Sequence, residues 1–435
     1  MATSRISELS MSILTSTGKI DTYLQRKGLP TISFNALGPG RYGTIPVSPD
    51  IEETRVGAVK AVTELLELLQ GPSISLKPTF NGASLQAISR WDIANKVPSE
   101  GHISFADLAK QCSDISELDL CRLLRYAMVH HRLFHEPRPG AVAHSAYSRL
   151  LVQEPLLADM FWLFADSGFS AFPYIVDALE RFKDHEPSHT AWSLASGINK
   201  GFFESLAQQP ELATRFSRAM AALSSFPLGP FSVPEAPESN NPVLHYPWSR
   251  MGEGLVVDIG GSSGMDAFLL AKAFPNLRFV VQDLPEAIAG AEASIPEELH
   301  GRVSFMSYSF FTPQPCTADI YMIKMCFHNW PDHYCVKILR NQIPALRSGA
   351  RFVIIDGLLP KRGATSFLAE RSARFLDMMM LTKVNGRERE AEDWIRIFKQ
   401  ADERFQVLSV KAAGTLSELK HTFGIIDVVF DRPKN

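Results

Sequence analysis

The sequence predicts an α/β protein in two parts: a mainly helical, winged-helix-like first half and a doubly wound, largely parallel sheet in the second. Three observations carry this. Apolar residues recur at three- and four-residue spacing in the first half. From Gly254 onward short apolar runs alternate with helical segments. Between the two patterns, residues 227–247 (PLGPFSVPEAPESNNPVLHYP) hold six prolines and no helical periodicity, as expected of an extended linker.

In the first half, residues 59–69 (VKAVTELLELL) carry a helical apolar repeat, and residues 105–129 carry two more segments. These break at Ser113-Asp114 and end near His130-His131, with Ser104 placed to cap the first. Residues 132–145 then read as an apolar strand, a Pro/Gly turn and a second short strand. Helix, turn, helix and β wing outline a winged helix. A DNA reader of this kind needs a basic recognition surface. Here Asp114, Glu117 and Asp119 alternate with Lys110, Arg122 and Arg125, so a packing and dimer-forming module is expected and nucleic-acid binding is not.

Past the linker, strands are expected at 254–259, 277–281, 318–324 and 351–356, with helices at 265–274 and 335–346. Residues 405–411 and 423–430 read as a closing antiparallel pair. A chain of 435 residues is too long for one core, and the expected division is 1–226, a 227–247 linker and 248–435.

Composition narrows the function classes. Lys plus Arg number 44 against 47 Asp plus Glu, a net charge of −3, which does not suit a protein that wraps a polyanion. No apolar run approaches membrane-span length and the start lacks an apolar signal core, so a soluble, cytoplasmic protein with no membrane partner is expected. Cys112, Cys121, Cys316, Cys326 and Cys335 contain no C-x-x-C pair and read as reduced thiols, with no structural zinc site.

The strongest motif is Val256-Val-Asp258-Ile-Gly260-Gly261-Ser-Ser-Gly264, a strand entering a glycine turn and then a helix. Glycines let a backbone approach a ligand, and a helix start offers unpaired amides. Asp283 closes the next strand 25 positions after Asp258, where a carboxylate can accept both hydroxyls of a ribose. The loop lacks a G-x-x-x-x-G-K-[ST] cradle, and Asp258 suits a cation better than a pyrophosphate. An adenosyl ligand carrying an ammonium and a sulfonium, S-adenosylmethionine, fits best.

The second motif, Lys324-Met-Cys-Phe-His328-Asn329-Trp330-Pro331-Asp332, starts at the carboxyl end of a strand, where open α/β sheets place ligands. His328 reads as a general base or as a structural histidine at a helix start. His333 is badly spaced to share a metal with it, and no metal is expected. Asp356 and Glu388 could orient the imidazole. Alone, Asp356 reads equally as a turn acid and Glu388 as a solvated charge.

Together these residues resemble the caffeic-acid-type, S-adenosylmethionine-dependent O-methyltransferases, in particular the fungal secondary-metabolism branch. The resemblance also rests on Arg5-Ile-Ser-Glu-Leu9, Gly140-Ala-Val-Ala-His144-Ser145-Ala-Tyr-Ser148, His189-Thr-Ala-Trp192 and Asn385-Gly-Arg-Glu388-Arg389. It implies a Rossmann-like methyltransferase sheet behind a dimerisation domain, and a homodimer. It implies S-adenosylmethionine held by Asp258, Gly260, Gly261, Asp283, Leu284, Ser309 and Phe310, with Lys324 nearby. His328 would be the base, Asp356 and Glu388 its partners, and Trp162, Phe164, Met378 and Met380 the wall of a pocket for a small secondary metabolite. A phenol near pKa ~10 and a histidine near ~6.5 differ by about 5 kcal/mol in proton affinity, so proton removal should accompany methyl transfer.

Three positions depart from the family pattern: Ser309 stands where an acid usually bonds the adenine amine, Asn329 follows the histidine in place of Asp, and Asp356 replaces a Glu. One lost bond to adenine costs ~1–3 kcal/mol, roughly tenfold to hundredfold in affinity. Some fungal relatives are pericyclases, which gives an alternative. There the cofactor is bound but not consumed, and His328 and Lys324 donate hydrogen bonds to a carbonyl during dehydration and Diels–Alder or Alder-ene cyclisation of a polyketide-derived substrate.

Overall fold

The computed structural model describes residues 4–40, 43–75, 82–113, 115–225, 231–232, 241–413 and 423–431. The chain forms two compact units: residues 1–174 with 209–235, and residues 175–208 with 236–435.

In the first unit, the helix Arg5–Lys27 starts on the Ser4 side chain, ends at Gly28 in the left-handed region (φ 61°), and packs on Pro49–Ser75, which kinks at Gly71-Pro72. Met11, Leu14, Leu66 and Leu69 on this pair are exposed. The winged-helix outline is present. Ser104 caps Phe105–Lys110, Ser116 caps Glu117–His131, and Arg132 (φ 56°) ends the second helix. Ile103 and Ser104 pair with Val142 and Ala141. The first wing arm, expected as a strand, shrinks to one bridge, His135 to Ala143. Pro137 and Pro139 follow it and have no amide hydrogen to extend the ladder. Phe105, Leu108, Leu120, Leu124, Phe134 and Val142 fill the core beneath.

The second unit is built on seven strands: β1 Gly254–Ile259, β2 Leu277–Asp283, β3 Val303–Ser307, β4 Ile320–Lys324, β5 Arg351–Gly357, β6 Phe405–Ala413 and β7 Phe423–Phe430. Their order is β6-β7-β5-β4-β1-β2-β3, and β7 alone runs against the rest. Side chains alternate between two cores. Tyr321, Ile323, Phe352 and Ile354 meet Trp394 and Phe398 on one face; Met322, Val353 and Ile355 share the other with Phe268 and Leu270. Sequence reading missed β3, an edge strand with Ser304 and Ser307 exposed, and the helix Phe367–Val384.

The division differs from the one expected. Residues 175–208, read as part of the first domain, belong to the second unit. The helix Ala191–Ser196 packs on Phe367–Val384, and Asn385 Nδ2 donates to the carbonyls of Glu186 and His189, both at 2.8 Å. Helical periodicity marks a buried face without saying what buries it. Most of the linker, 227–230 and 233–240, lies outside the described residues, as does Asp114. No helix among the described residues is long and apolar enough to cross a membrane, and all five cysteines are free.

Candidate active site

The carboxyl ends of β1, β2, β4 and β5 meet at the glycine turn. Gly260 takes φ 75°, and the amides of Gly260 and Gly261 donate to the Gln282 carbonyl at 2.7 and 3.2 Å. A Cβ at Gly260 would lie 2.7 Å from Cys326 Sγ, and one at Gly261 would strike the Asp258 carboxylate at 2.5 Å. Only glycine fits at either position.

Asp258 is 2% exposed and its Oδ2 has no hydrogen-bond partner. Burial, then the charges of Asp266 and Asp283, push its pKa up to about 8 against the opposing pull of Lys324. Lys324 itself is engaged: Nζ bonds both oxygens of Asp266 at 2.7 and 2.9 Å, and Asn241 Nδ2 donates to the same carboxylate at 3.0 Å. Asp283 accepts the Ser262 amide (2.9 Å) and the Leu284 amide (2.8 Å), so it props the glycine turn. Burial raises its pKa and those two amides oppose the rise. The Leu284 side chain is exposed.

Ser309 and Phe310 lie in the turn after β3. Ser309 Oγ accepts the Phe311 amide at 3.4 Å, and Phe310 meets Phe311 and Trp330 edge to face. A buried amide chain missed in the sequence fixes this turn. Gln282 exchanges bonds with Gln314 (2.8 and 2.9 Å), Gln314 donates to Gln342 (3.0 Å), and Gln342 donates to Tyr308 (3.1 Å). Since the Gln282 carbonyl also receives the glycine-turn amides, one network joins the glycine turn to the turn that holds Ser309.

His328 sits in the 3-10 turn Phe327–Asn329 beyond β4. Its Nδ1 donates to Glu388 Oε1 at 2.8 Å and lies 3.5 Å from Asp356 Oδ1. Asp356 Oδ2 accepts the His328 amide at 3.2 Å and Oδ1 the Gly357 amide at 2.9 Å. All three side chains are buried. Nδ1 is thus committed to the carboxylates. The three groups lie within 4.8 Å, a spacing an ion would accept, yet Nδ1 and both Asp356 oxygens already hold hydrogen bonds. Burial is the largest influence on His328 and lowers its pKa. Asp356 and Glu388 together outweigh it and lift the value to about 9. Burial raises Asp356, and Glu388 adds to that rise. Asn329 donates Nδ2 to the Met325 carbonyl at 3.2 Å, a bond an ionised Asp could not make.

Trp162 and Phe164 belong to the first unit, Met378 and Met380 to the second. Trp162 is buried among Leu163, Phe216 and Ala219, with the Arg215 guanidinium 4.8 Å over its ring. Phe164 lies in a π-helical turn, Leu163–Gly168, whose Asp166 is held by Gln86 (3.0 Å) and Arg90. On Phe367–Val384, Met378 is exposed, Met380 half-buried, and Met379 faces the core.

The second unit thus sets an orphaned carboxylate beside a glycine turn, and a buried histidine with two carboxylates, at the carboxyl ends of a doubly wound sheet. Residues 238–403 match the family model of the O-methyltransferase domain. The grayanic acid biosynthesis cluster O-methyltransferase of Cladonia grayi is 42% identical over 93% of this chain and 84% of its own. This chain belongs to the O-methyltransferase family. Among solved structures, OxaC in complex with sinefungin and meleagrin superposes with a TM-score of 0.70 at 22% identity, over 97% of this chain and 99% of that one. A protein described as a pericyclic reaction enzyme gives 0.66 at 21% identity, over 97% and 100%. At such identities these two share the fold.

Proposed function

We propose that this chain methylates a phenolic or enolic hydroxyl of a small fungal secondary metabolite, with S-adenosylmethionine as donor and His328 as general base. The observation that carries the reading is the buried Nδ1–Glu388 bond, which fixes the imidazole tautomer and leaves Nε2 as the proton acceptor. The grayanic-acid-cluster relative supports an acceptor from secondary metabolism.

The residues present fit the cofactor. The orphaned Asp258 Oδ2 offers an acceptor for an ammonium, the glycine turn leaves room a Cβ would fill, and Asp283 stands at the end of β2 for a ribose. When bound, S-adenosylmethionine supplies a methyl group on a sulfonium. Nε2 takes the hydroxyl proton as the acceptor oxygen attacks, and Glu388 and Asp356 steady the imidazolium that forms. With His328 near 9 and a phenol near ~10, that transfer is uphill by only ~1.4 kcal/mol, against about 5 for an ordinary histidine. The acid partners therefore match base to substrate.

One observation favours the pericyclase reading. A histidine of pKa about 9 is mostly protonated at neutral pH and can donate from Nε2 to a carbonyl. The discriminating measurement is S-adenosylhomocysteine against product, by mass spectrometry, with a panel of phenolic polyketides. Methyl transfer yields the two in equal amounts with product 14 Da heavier; turnover without S-adenosylhomocysteine, to an isomer or a dehydrated product, would overturn it.

The exposed apolar residues on the first unit's helix pair, Met11, Leu14, Leu66 and Leu69, support a homodimer through that unit. A monomer mass for the wild type by light scattering at micromolar concentration would reject it.

A further inference from the structure

Arg389 follows Glu388, is fully buried, and touches neither the imidazole nor the glycine turn through any hydrogen bond. Its guanidinium is instead saturated by the segment that carries His328. Nη1 donates to the Phe327 carbonyl (3.0 Å) and the Arg387 carbonyl (3.3 Å). Nη2 donates to the Trp330 carbonyl (2.7 Å), Asp332 Oδ1 (2.9 Å) and Cys335 Sγ (3.2 Å), and Nε to Asp332 Oδ1 (3.1 Å). The carbonyls of Phe327 and Trp330 bracket the turn holding His328. On the backbone, the Arg389 carbonyl accepts the Leu359 amide at 2.9 Å, tying the Glu388 strap to the chain that leaves β5 just after Asp356.

We propose that Arg389 is the positioning residue of the triad: its guanidinium locks the His328 turn to the strap that carries Glu388 and offsets the surplus negative charge of the two carboxylates. A planar fork with five donors can hold three carbonyls, a thiol and a carboxylate at once; an ammonium cannot. The same strap approaches so closely that a Cβ at Gly386 would collide with the His328 carbonyl.

The charges around the imidazole set the expected sign. Asp356 at the end of β5 and Glu388 on the strap face His328 directly, and both favour the imidazolium. Arg389 opposes it. Asp332, at the start of the helix Asp332–Gln342, faces Arg389 and is shared with Arg387 (3.3 Å) and Arg396 (3.2 Å). Arg389 is thus the cation that keeps the His328 proton from being held more tightly still.

The inference rests on His328 serving as the proton acceptor, so the test uses two readouts, one of which needs no substrate. Histidine-selective NMR follows the His328 titration in the cofactor-bound protein without acceptor, and steady-state kinetics give kcat and KM. R389M removes fork and charge, and the titration is expected to move upward by roughly half a pH unit or more. R389K keeps the charge, so the titration stays near the wild-type value while kcat falls roughly tenfold to hundredfold with cofactor KM unchanged. Should R389M not fold, D332N supplies the second variant: it loosens the fork from outside, lowering kcat without raising the titration. Wild-type kcat in R389K, or an unmoved titration in a folded R389M, overturns the proposal. Parallel loss of kcat and cofactor affinity in R389K also overturns it, since that marks Arg389 as a general structural arginine. If the titration shifts as expected but no methylated product is ever found, the positioning role stands and the methylation reading falls.

Discussion

Glu388 grips His328 with one carboxylate oxygen and leans on Gly357 with the other. Oε1 accepts the Nδ1 proton at 2.8 Å, while the buried Oε2 has no hydrogen-bond partner and lies where a Cβ of residue 357 would be. The glycine after Asp356 is therefore part of the triad, since it is the absence of a side chain there that lets the second acid come close.

That relationship predicts the behaviour of Gly357→Ala. The added methyl must displace the Glu388 carboxylate, because the alternative is a move of the central strand β5. Overpacking of this kind costs ~1–3 kcal/mol of stability, and loss of the orienting acid should lower kcat by roughly 10²-fold. The cofactor half of the cleft is untouched, so calorimetric affinity for S-adenosylhomocysteine should stay within a few-fold of wild type. Unchanged kcat would mean that Glu388 does not need its present position.

The rate should rise with pH up to about 9, where His328 loses its proton, falling roughly tenfold per unit below. In Glu388→Gln one charge that favours the imidazolium is gone, so the acid limb of kcat/KM should move to lower pH while its plateau drops. Stability runs the opposite way. The folded-state pKa of His328 lies above the unfolded ~6.5, so the contribution of His328 is complete below about 6.5 and is lost as pH rises through about 9. Thermal melts from pH 6 to 10 and a pH–rate profile check both signs; a limb fixed near 6.5 would contradict the geometry.

Asp258 should show function opposed to stability. Its folded pKa of about 8 exceeds the unfolded ~3.9, so ionising it penalises the cofactor-free fold progressively from about pH 4 to pH 8. Asp258→Asn removes the ionisation, and the cofactor-free protein should melt higher than wild type at pH 8. The same change removes the partner for an ammonium, and affinity for S-adenosylmethionine should weaken at least ~tenfold. Differential scanning calorimetry and titration calorimetry read the two effects; a variant that loses stability and keeps its affinity would refute both.

The parts legible in the sequence are those encoded locally. β1, β2 and β5 are apolar runs closed by glycine or an acid, β4 is one closed by Lys324, and the turn at Gly260-Gly261 follows directly on β1. Asp356 and Glu388 lie 28 and 60 positions from His328, and no local pattern ties them to it; only the resemblance did. Arg389 stood in an Arg/Glu run that reads as solvated charge, and nothing local says that its five donors turn inward. Trp162 is ambiguous in the sequence for the reverse reason, since an aromatic that packs between helices has the same signature as one that lines a pocket. Residues 175–208 were misplaced because amphipathic helices announce a partner without naming it.

The departure at Ser309 gives the last test. This residue lies in the turn Tyr308–Thr312, held from below by Gln342 on Tyr308 and closed by the Thr312 amide and hydroxyl on the Ser309 carbonyl at 2.9 and 2.7 Å. The backbone is thus fixed independently of the side chain at 309. The hydroxyl accepts the Phe311 amide only at 3.4 Å, a weak bond whose loss costs little. In Ser309→Asp the carboxylate can keep that role and offer a charged acceptor for an adenine amine, and a hydrogen bond to a charged group is worth ~1.5–3 kcal/mol. Affinity for S-adenosylmethionine and S-adenosylhomocysteine should therefore tighten by roughly tenfold to hundredfold, with the melting temperature of the cofactor-free protein little changed. Because the gain comes from the adenine end, far along the ligand from the methyl group, kcat should stay level while cofactor KM falls. Calorimetry on the wild type and Ser309→Asp, with S-adenosylhomocysteine and with adenosine alone, separates this from a general effect: the gain should persist for adenosine. Equal affinities would show that the turn does not face adenine in this chain.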